Sequence, residues 1–198
     1  MSPRTAKQFK EIRENKSFLI LNAALEMFAN NGYHNTSISK IAKHANISKG
    51  LLYNYFENKE DLLIKIIDRG IEKLFQSFDT NSDGILTNEE FEFFIHENFR
   101  IIKENIPYWK LYFSMFFQPE VLSIMKDKLF MKINNLLNTI EKYYKNKGVK
   151  NPAMEARMYG AFLDGISMNY IMDPENFPLE DVKKYIIDKF CIIDNKKS

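Results

Sequence analysis

One cysteine, one tryptophan, six prolines and seven glycines are all that 198 residues hold of the types that staple, break or loosen a chain. With Cys191 alone, no disulfide can close within the chain and no CxxC redox or zinc pair exists, so a reducing compartment is expected. His34, His44 and His96 are scattered without the spacing of metal ligands. There is no Gly-rich phosphate loop and no Ser/His/Asp grouping, so an enzyme is not expected. Long apolar runs are also missing. Tyr108 to Phe117 is aromatic-rich but short and interrupted by Lys110, and Ser17 to Ala29 is interrupted by Asn22 and Glu26. Leu21, Ala24, Leu25 and Phe28 make that second stretch an amphipathic helix rather than a leader. A cytoplasmic chain with no membrane association is the expectation. Strand-like alternation, internal repeats and low-complexity linkers are absent as well.

What remains is a chain built to fold around aromatic rings. Hydrophobic residues make up 45% and aromatics 14%, with 17 phenylalanines and 10 tyrosines, which is the composition of a packed protein. The length allows one or two domains. The formal net charge is only +2, yet residues 1–55 carry eight Lys/Arg against three Asp/Glu. A basic front end suits contact with phosphates. Past residue 58 the apolar spacing is helical throughout, predicting helices near 59–78, 88–105, 108–117, 119–146, 152–172 and 179–192. Pro107, Pro119, Gly148, Pro152, Pro174 and Pro178 punctuate them.

The densest signal lies between Gly32 and Leu63. Ile38, Ile41, Ala42 and Ala45 form one apolar helical face, and Asn46-Ile47-Ser48 then breaks the pattern. Asn46 tolerates a left-handed backbone and Ser48 can cap the next helix. Leu52 and Phe56 pack inward there, leaving Lys49, Gly50, Leu51, Tyr53, Asn54 and Tyr55 to divide the remaining surface. This is the arrangement of a helix-turn-helix, whose second helix enters the major groove.

At these residues the chain resembles the TetR family of bacterial transcriptional regulators. The motifs are Gly32-Tyr33, Thr36-Ser37, Ile41-Ala42-Lys43-His44-Ala45, Ser48-Lys49-Gly50, Leu52-Tyr53-Asn54-Tyr55-Phe56 and Lys59-Glu60-Asp61-Leu62. They occupy roughly the first 65 residues. Asn46 stands where Gly is usual and Tyr55 where His is common. The resemblance implies an all-α fold of about nine helices. A three-helix DNA-binding head, residues 1–58, would precede a six-helix ligand-binding and dimerisation body, residues 59–198. It also assigns roles. Thr36, Tyr53 and Lys59 match positions that touch the phosphate backbone, while Ser48, Lys49, Gly50, Leu51, Asn54 and Tyr55 match the recognition helix. The chemistry is apt: Lys49 can donate to guanine, Asn54 can pair with adenine, and Leu51 can meet a thymine methyl. The basic arm, with Arg4, Lys7, Lys10, Arg13 and Lys16, could lie along DNA or stand as a solvated helical extension.

Two features of the body gain meaning from the same resemblance. The apolar, pliable cluster Trp109, Tyr112, Phe113, Phe116, Met125 and Phe130 is either plain core or the lining of an effector cavity, which the family places among these helices. Met154, Met158, Ala161, Gly165, Met168 and Met172 step by four and three, a heptad-like seam with small residues that permit close approach. The family builds its homodimer from its last two helices, so Met158, Ala161, Gly165, Met168 and Met172 are the expected interface.

A second motif stands apart. Asp79, Asn81, Asp83, Ile85, Thr87 and Glu90 occupy the ligand positions of a twelve-residue EF-hand loop, with Gly84 at its sixth position. Calcium is therefore a candidate cofactor. The alternative is a capped turn, because Thr87 and Glu90 also spell a capping box and EF-hands normally work in pairs.

The function expected is a sequence-specific, ligand-released DNA-binding repressor. Its partners would be a double-stranded, pseudo-palindromic operator, a small apolar effector and a second copy of itself. The alternative is a calcium-binding interaction protein that uses loop 79–90.

Overall fold

The computed structural model describes residues 5–75, 78, 81 and 83–191. Among them there are nine α-helices and no strand: α1 Ala6–Asn31, α2 Ile38–His44, α3 Lys49–Tyr53, α4 Lys59–Phe75, α5 Asn88–Glu104, α6 Ile106–Phe116, α7 Pro119–Asn146, α8 Pro152–Met172 and α9 Leu179–Phe190. The expected helices recur within a few residues. Prolines at the starts of α7 and α8 do what their fixed φ and missing N–H suit them to do. No helix among the described residues is long and apolar enough to cross a membrane.

The chain folds as two compact units. The first is Met1–Gly70 with Leu111–Lys126, and the second is Ile71–Lys110 with Asp127–Ser198. In the first unit Ile20, Ala24, Leu25 and Phe28 of α1, Ile41 and Ala42 of α2, and Leu52 of α3 are buried. Leu62, Leu63, Ile66 and Ile67 of α4 join them, with Tyr112 and Met115 of α6 and Val121 and Met125 of α7. Each burial is worth about 1.5–3 kcal/mol for a large apolar side chain. Against Gly70 lies the ring of Tyr112, so close that a Cβ would overlap it.

The second unit is held by rings. Phe91 meets Tyr159 at 4.7 Å, Tyr143 at 5.2 Å and Tyr144 at 6.3 Å between centroids, all edge to face. Two of the polar tips find partners: Tyr143 OH bonds Asn88 Oδ1 at 2.7 Å and Tyr144 OH donates to the Phe190 carbonyl at 3.0 Å, whereas the buried Tyr159 hydroxyl has none among the described residues. Trp109, fully buried here, donates from Nε1 to the Ile101 carbonyl at 3.1 Å. Asn98, also buried, donates to the Phe94 carbonyl at 3.0 Å. The seam residues of α8 lie on its outer side. Met154, Met158 and Met172 are 62%, 44% and 74% exposed, whereas Ala156, Tyr159, Tyr170 and Ile171 are buried on the inner one. An α-helix apolar on both sides has a second surface to cover.

Candidate DNA-binding face

The geometry of the face starts from two caps. Ser37 Oγ accepts the Lys40 N–H at 3.3 Å and opens α2. Ser48 Oγ accepts the Leu51 N–H at 3.1 Å and opens α3. Between them the chain reverses at Asn46, whose φ of 52° is the only positive value at a non-glycine among the described residues. The side-chain amide makes that conformation cheaper for asparagine than for most residues, and the turn closes with Ile47 N–H on the Ala42 carbonyl at 3.0 Å. Ile38, Ile41, Ala42, Leu52 and Phe56 turn inward and hold α2 against α3.

Outward, α3 stands between two open depressions. One, of about 430 Å³, is lined by His34, Asn35, Thr36, Ser37, Ile38, Ser39, Lys49, Tyr53 and Lys59. The other, of about 510 Å³, is lined by Ser39, Ala42, Lys43, Asn46, Ile47, Ser48 and Lys49. Neither lining contains a carboxylate, and Lys49 belongs to both. A surface with lysines, hydroxyls and no acid is suited to phosphate oxygens.

The site residues fall into three settings. Thr36, Lys49, Tyr53 and Lys59 come together around the first depression, with Lys49 Nζ 5.7 Å from the centre of the Tyr53 ring. Ser48, Gly50 and Asn54 are exposed along α3, and nothing lies within 4 Å of where a Gly50 Cβ would be. Leu51 and Tyr55 are half-buried, and Tyr55 packs near Phe56 and under the Arg13 guanidinium at 5.4 Å.

Two of the lining side chains are already engaged within the first unit. The Thr36 hydroxyl is turned inward, 2.9 Å from the Gly32 carbonyl and 3.1 Å from that of Met27. Lys59 Nζ donates to the Tyr33 carbonyl at 2.9 Å and sits 4.2 Å above the Tyr33 ring. Partial burial holds the Lys59 ammonium below its ordinary pKa, while burial and then the Glu60 carboxylate push the Tyr33 phenol up. Lys7, Lys10 and Arg13 are exposed on the first turns of α1, Lys16 is half-buried, and Arg4 lies outside the described residues.

The aromatic cluster of α6 and α7 divides between the units. Tyr112, Phe113, Phe116 and Met125 belong to the first, where the Tyr112 ring meets Phe116 at 5.1 Å and Phe113 at 5.9 Å. Trp109, buried, and Phe130, 54% exposed, belong to the second. Of the α8 seam, Met158 and Ala161 are exposed while Gly165 and Met168 are half-buried.

In the loop before α5, Asp79 lies outside the described residues. Asn81 Oδ1 accepts the Asp83 N–H at 3.0 Å, Asp83 Oδ1 accepts the Ile85 N–H at 2.8 Å, and Gly84 adopts φ 75°. Thr87 and Glu90 form the capping box in full: Oγ1 of Thr87 accepts the Glu90 N–H, and Oε2 of Glu90 accepts the Thr87 N–H, each at 3.1 Å. No three His, Cys, Asp or Glu side chains converge as a metal site among the described residues.

The residue that the motifs did not single out is Gln118. Its partners lie 85 and 90 positions away, so no local pattern marks it.

Comparison with known proteins agrees with this head. Residues 20–66 match the model of bacterial regulatory proteins of the tetR family. The fatty acid metabolism regulator protein of Bacillus subtilis is 51% identical over 51 residues, which is 26% of each chain. The match thus spans about a quarter of that relative's length. Among solved structures, NalD, the secondary repressor of the MexAB-OprM multidrug efflux pump in Pseudomonas aeruginosa, superposes with a TM-score of 0.69 at 18% identity, covering 90% of this chain and 96% of that one. The transcriptional regulator FadR from Bacillus subtilis in complex with stearoyl-CoA has a TM-score of 0.65 at 22% identity, covering 88% and 97%. At these identities the likeness is one of fold.

Proposed function

We propose that this chain is a DNA-binding transcriptional regulator of the tetR type, a homodimer that leaves its operator when a small apolar effector binds. The observation that carries the reading is the carboxylate-free, lysine-lined face around α3, inside the segment that matches the family model. Residues 1–58 would read DNA and residues 59–198 would take the effector and pair the protomers. A short recognition helix reads few base pairs, so two copies are needed to define a site. The doubly apolar α8 supports that pairing, and a Cβ at Gly165 would meet nothing within 4 Å, leaving room for a second helix. The aromatic and methionine side chains of α6 and α7 favour an apolar effector.

Selection of bound duplexes from a random pool tests the reading. A pseudo-palindromic site, bound with an affinity that falls steeply with salt, is the expected result. Recovery of no preferred duplex would sink it. Stearoyl-CoA is a sensible first effector probe, because a solved relative of the same fold is described with it bound.

Loop 79–90 admits a second reading, calcium binding, favoured by Gly84 at φ 75° in the sixth position. Asn81, Asp83, Thr87 and Glu90 carry suitable oxygens, Ile85 would offer its carbonyl, and Asp79 completes the pattern in sequence. The carboxylate of Glu90 would first have to leave Thr87, so binding at this loop would be weak.

A further inference from the structure

Gln118, in the turn between α6 and α7, has every polar group committed. Its N–H donates to the Met115 carbonyl at 3.1 Å, and its carbonyl accepts the Leu122 N–H at 3.0 Å, so the main chain closes α6 and opens α7. The side chain points the other way, to the end of α1. There Oε1 accepts the Tyr33 N–H at 2.7 Å and Nε2 donates to the Phe28 carbonyl at 2.8 Å. The orientation of the amide follows from its partners, since a flipped amide would set donor against donor and acceptor against acceptor.

The place where it acts is the one that matters for the face. Helix α1 stops at Gly32, whose φ of 81° few other residues adopt, and whose N–H already bonds the Phe28 carbonyl at 3.0 Å. Tyr33 is the first residue beyond, with its N–H past the end of the helical ladder. Gln118 satisfies that donor from a distant part of the chain and caps the helix. The carbonyl of the same residue, Tyr33, receives Lys59 Nζ at 2.9 Å and the Thr36 N–H at 3.3 Å. One residue is thus held at its N–H by Gln118 and at its C=O by Lys59. From it the chain runs straight into His34, Asn35, Thr36 and Ser37, the wall of the depression beside α3.

We propose that Gln118 is a positioning residue for DNA binding: by capping α1 it fixes residues 33–37 and the Lys59 ammonium in the geometry that takes a backbone phosphate. The inference rests on the proposed function and deepens it. Gln118 does not touch the DNA. It sets the phosphate-contacting wall and leaves the base-reading edge of α3 alone, and that distinction is measurable.

The test uses the full-length chain and its selected duplex. Gln118→Met keeps the length of the side chain and removes both hydrogen bonds. It should weaken operator binding about ten-fold, since residues 33–37, no longer pinned in the free chain, must be ordered when DNA binds. The slope of log affinity against log salt should fall by about one per half-site, as loss of one phosphate contact requires. The ranking of single-base operator variants should stay as in the parent. Gln118→Ala removes both hydrogen bonds without the bulk of methionine and should show the same flattened slope with the same ranking. It decides the question if the methionine variant does not fold. A folded variant with unchanged affinity and slope would reduce Gln118 to a structural clip and overturn the proposal. So would a base ranking altered as strongly as the affinity, because Gln118 would then be orienting α3 itself. If the parent chain binds no duplex, the proposed function falls first. That outcome is separable, because it is read on the parent alone.

Discussion

Tyr112 and Gly70 are in contact at the phenol end of the ring: the tyrosine lies where the glycine's side chain would be, and its hydroxyl donates to the Ile67 carbonyl at 3.1 Å, one turn earlier in α4. A glycine inside a helix costs about 1 kcal/mol relative to alanine. Here that cost makes room for a buried ring. Gly70→Ala should therefore destabilise the chain by about 1–3 kcal/mol despite its better helix propensity, because the ring must move. Urea denaturation monitored by circular dichroism measures it, and a stabilised variant would contradict the contact.

Gly50 should behave in the opposite way. A Cβ there meets no protein atom within 4 Å, so the fold does not demand glycine. Gly50→Ala should leave stability unchanged or raise it by about 0.5–1 kcal/mol, while lowering operator affinity by standing between α3 and the groove. Equal DNA binding would mean that this edge of α3 faces elsewhere. Asn54→Ala, at an exposed position beside it, should cost about 1–3 kcal/mol of binding and relax one base preference.

The pairing of protomers can be tested at Gly165. Gly165→Glu sets a charge on the outer side of α8, between Ala161 and Met168. Solvent accommodates it in a monomer, but a helix-helix contact does not. Light scattering should show monomers with a folded head and weakened operator binding. An unchanged dimer would place the interface on another surface.

Cys191 should be chemically silent in the native chain. It is buried, and burial followed by the Glu92 charge pushes its thiol up to about 12. Little thiolate exists at pH 8, so a thiol reagent should act only as urea exposes the side chain. The same shift ties stability to pH. The folded chain keeps a proton that an unfolded thiol, with an ordinary pKa of 9.0, gives up. This contribution is complete below about pH 9 and is lost as pH rises towards about 12. Burial also pushes the hydroxyl of Tyr159 well above its ordinary value, so it acts in the same direction. Melting temperatures should fall progressively above pH 9, and a flat profile through pH 11 would refute the assignment.

The loop before α5 offers a last check. Calorimetry at millimolar calcium should show weak binding that Glu90→Gln removes and Ser82→Ala leaves intact, since only the former takes away a ligand carboxylate. Glu90→Gln should also cost about 0.5–1 kcal/mol of stability by weakening the capping box. Absence of both heat and stabilisation by calcium would leave the loop as a capped turn.

Helix order, helix ends and the two-helix motif were legible along the chain because their causes are local. Apolar residues recur every three to four positions. Ser37, Ser48 and Thr87 cap within three residues of themselves. Asn46 tolerates the left-handed turn, and the prolines restrict their own backbone. The exposed positions of Lys49, Gly50 and Asn54 were legible for the same reason, since they follow a cap that fixes their phase on α3. The direction of individual side chains was not. Thr36 and Lys59 are hydrogen-bonding residues in any reading, but only packing turned the hydroxyl in towards Gly32 and set the ammonium on the Tyr33 carbonyl. Trp109 and Tyr112 look like one aromatic cluster at helical spacing, yet they belong to different compact units. Gln118 carries no local signal at all, because an amide acquires meaning from what it meets, and Tyr33 stands 85 residues away. Local chemistry decides where a helix begins and ends. Which of its side chains become a site is decided by the surfaces that distant segments bring against it.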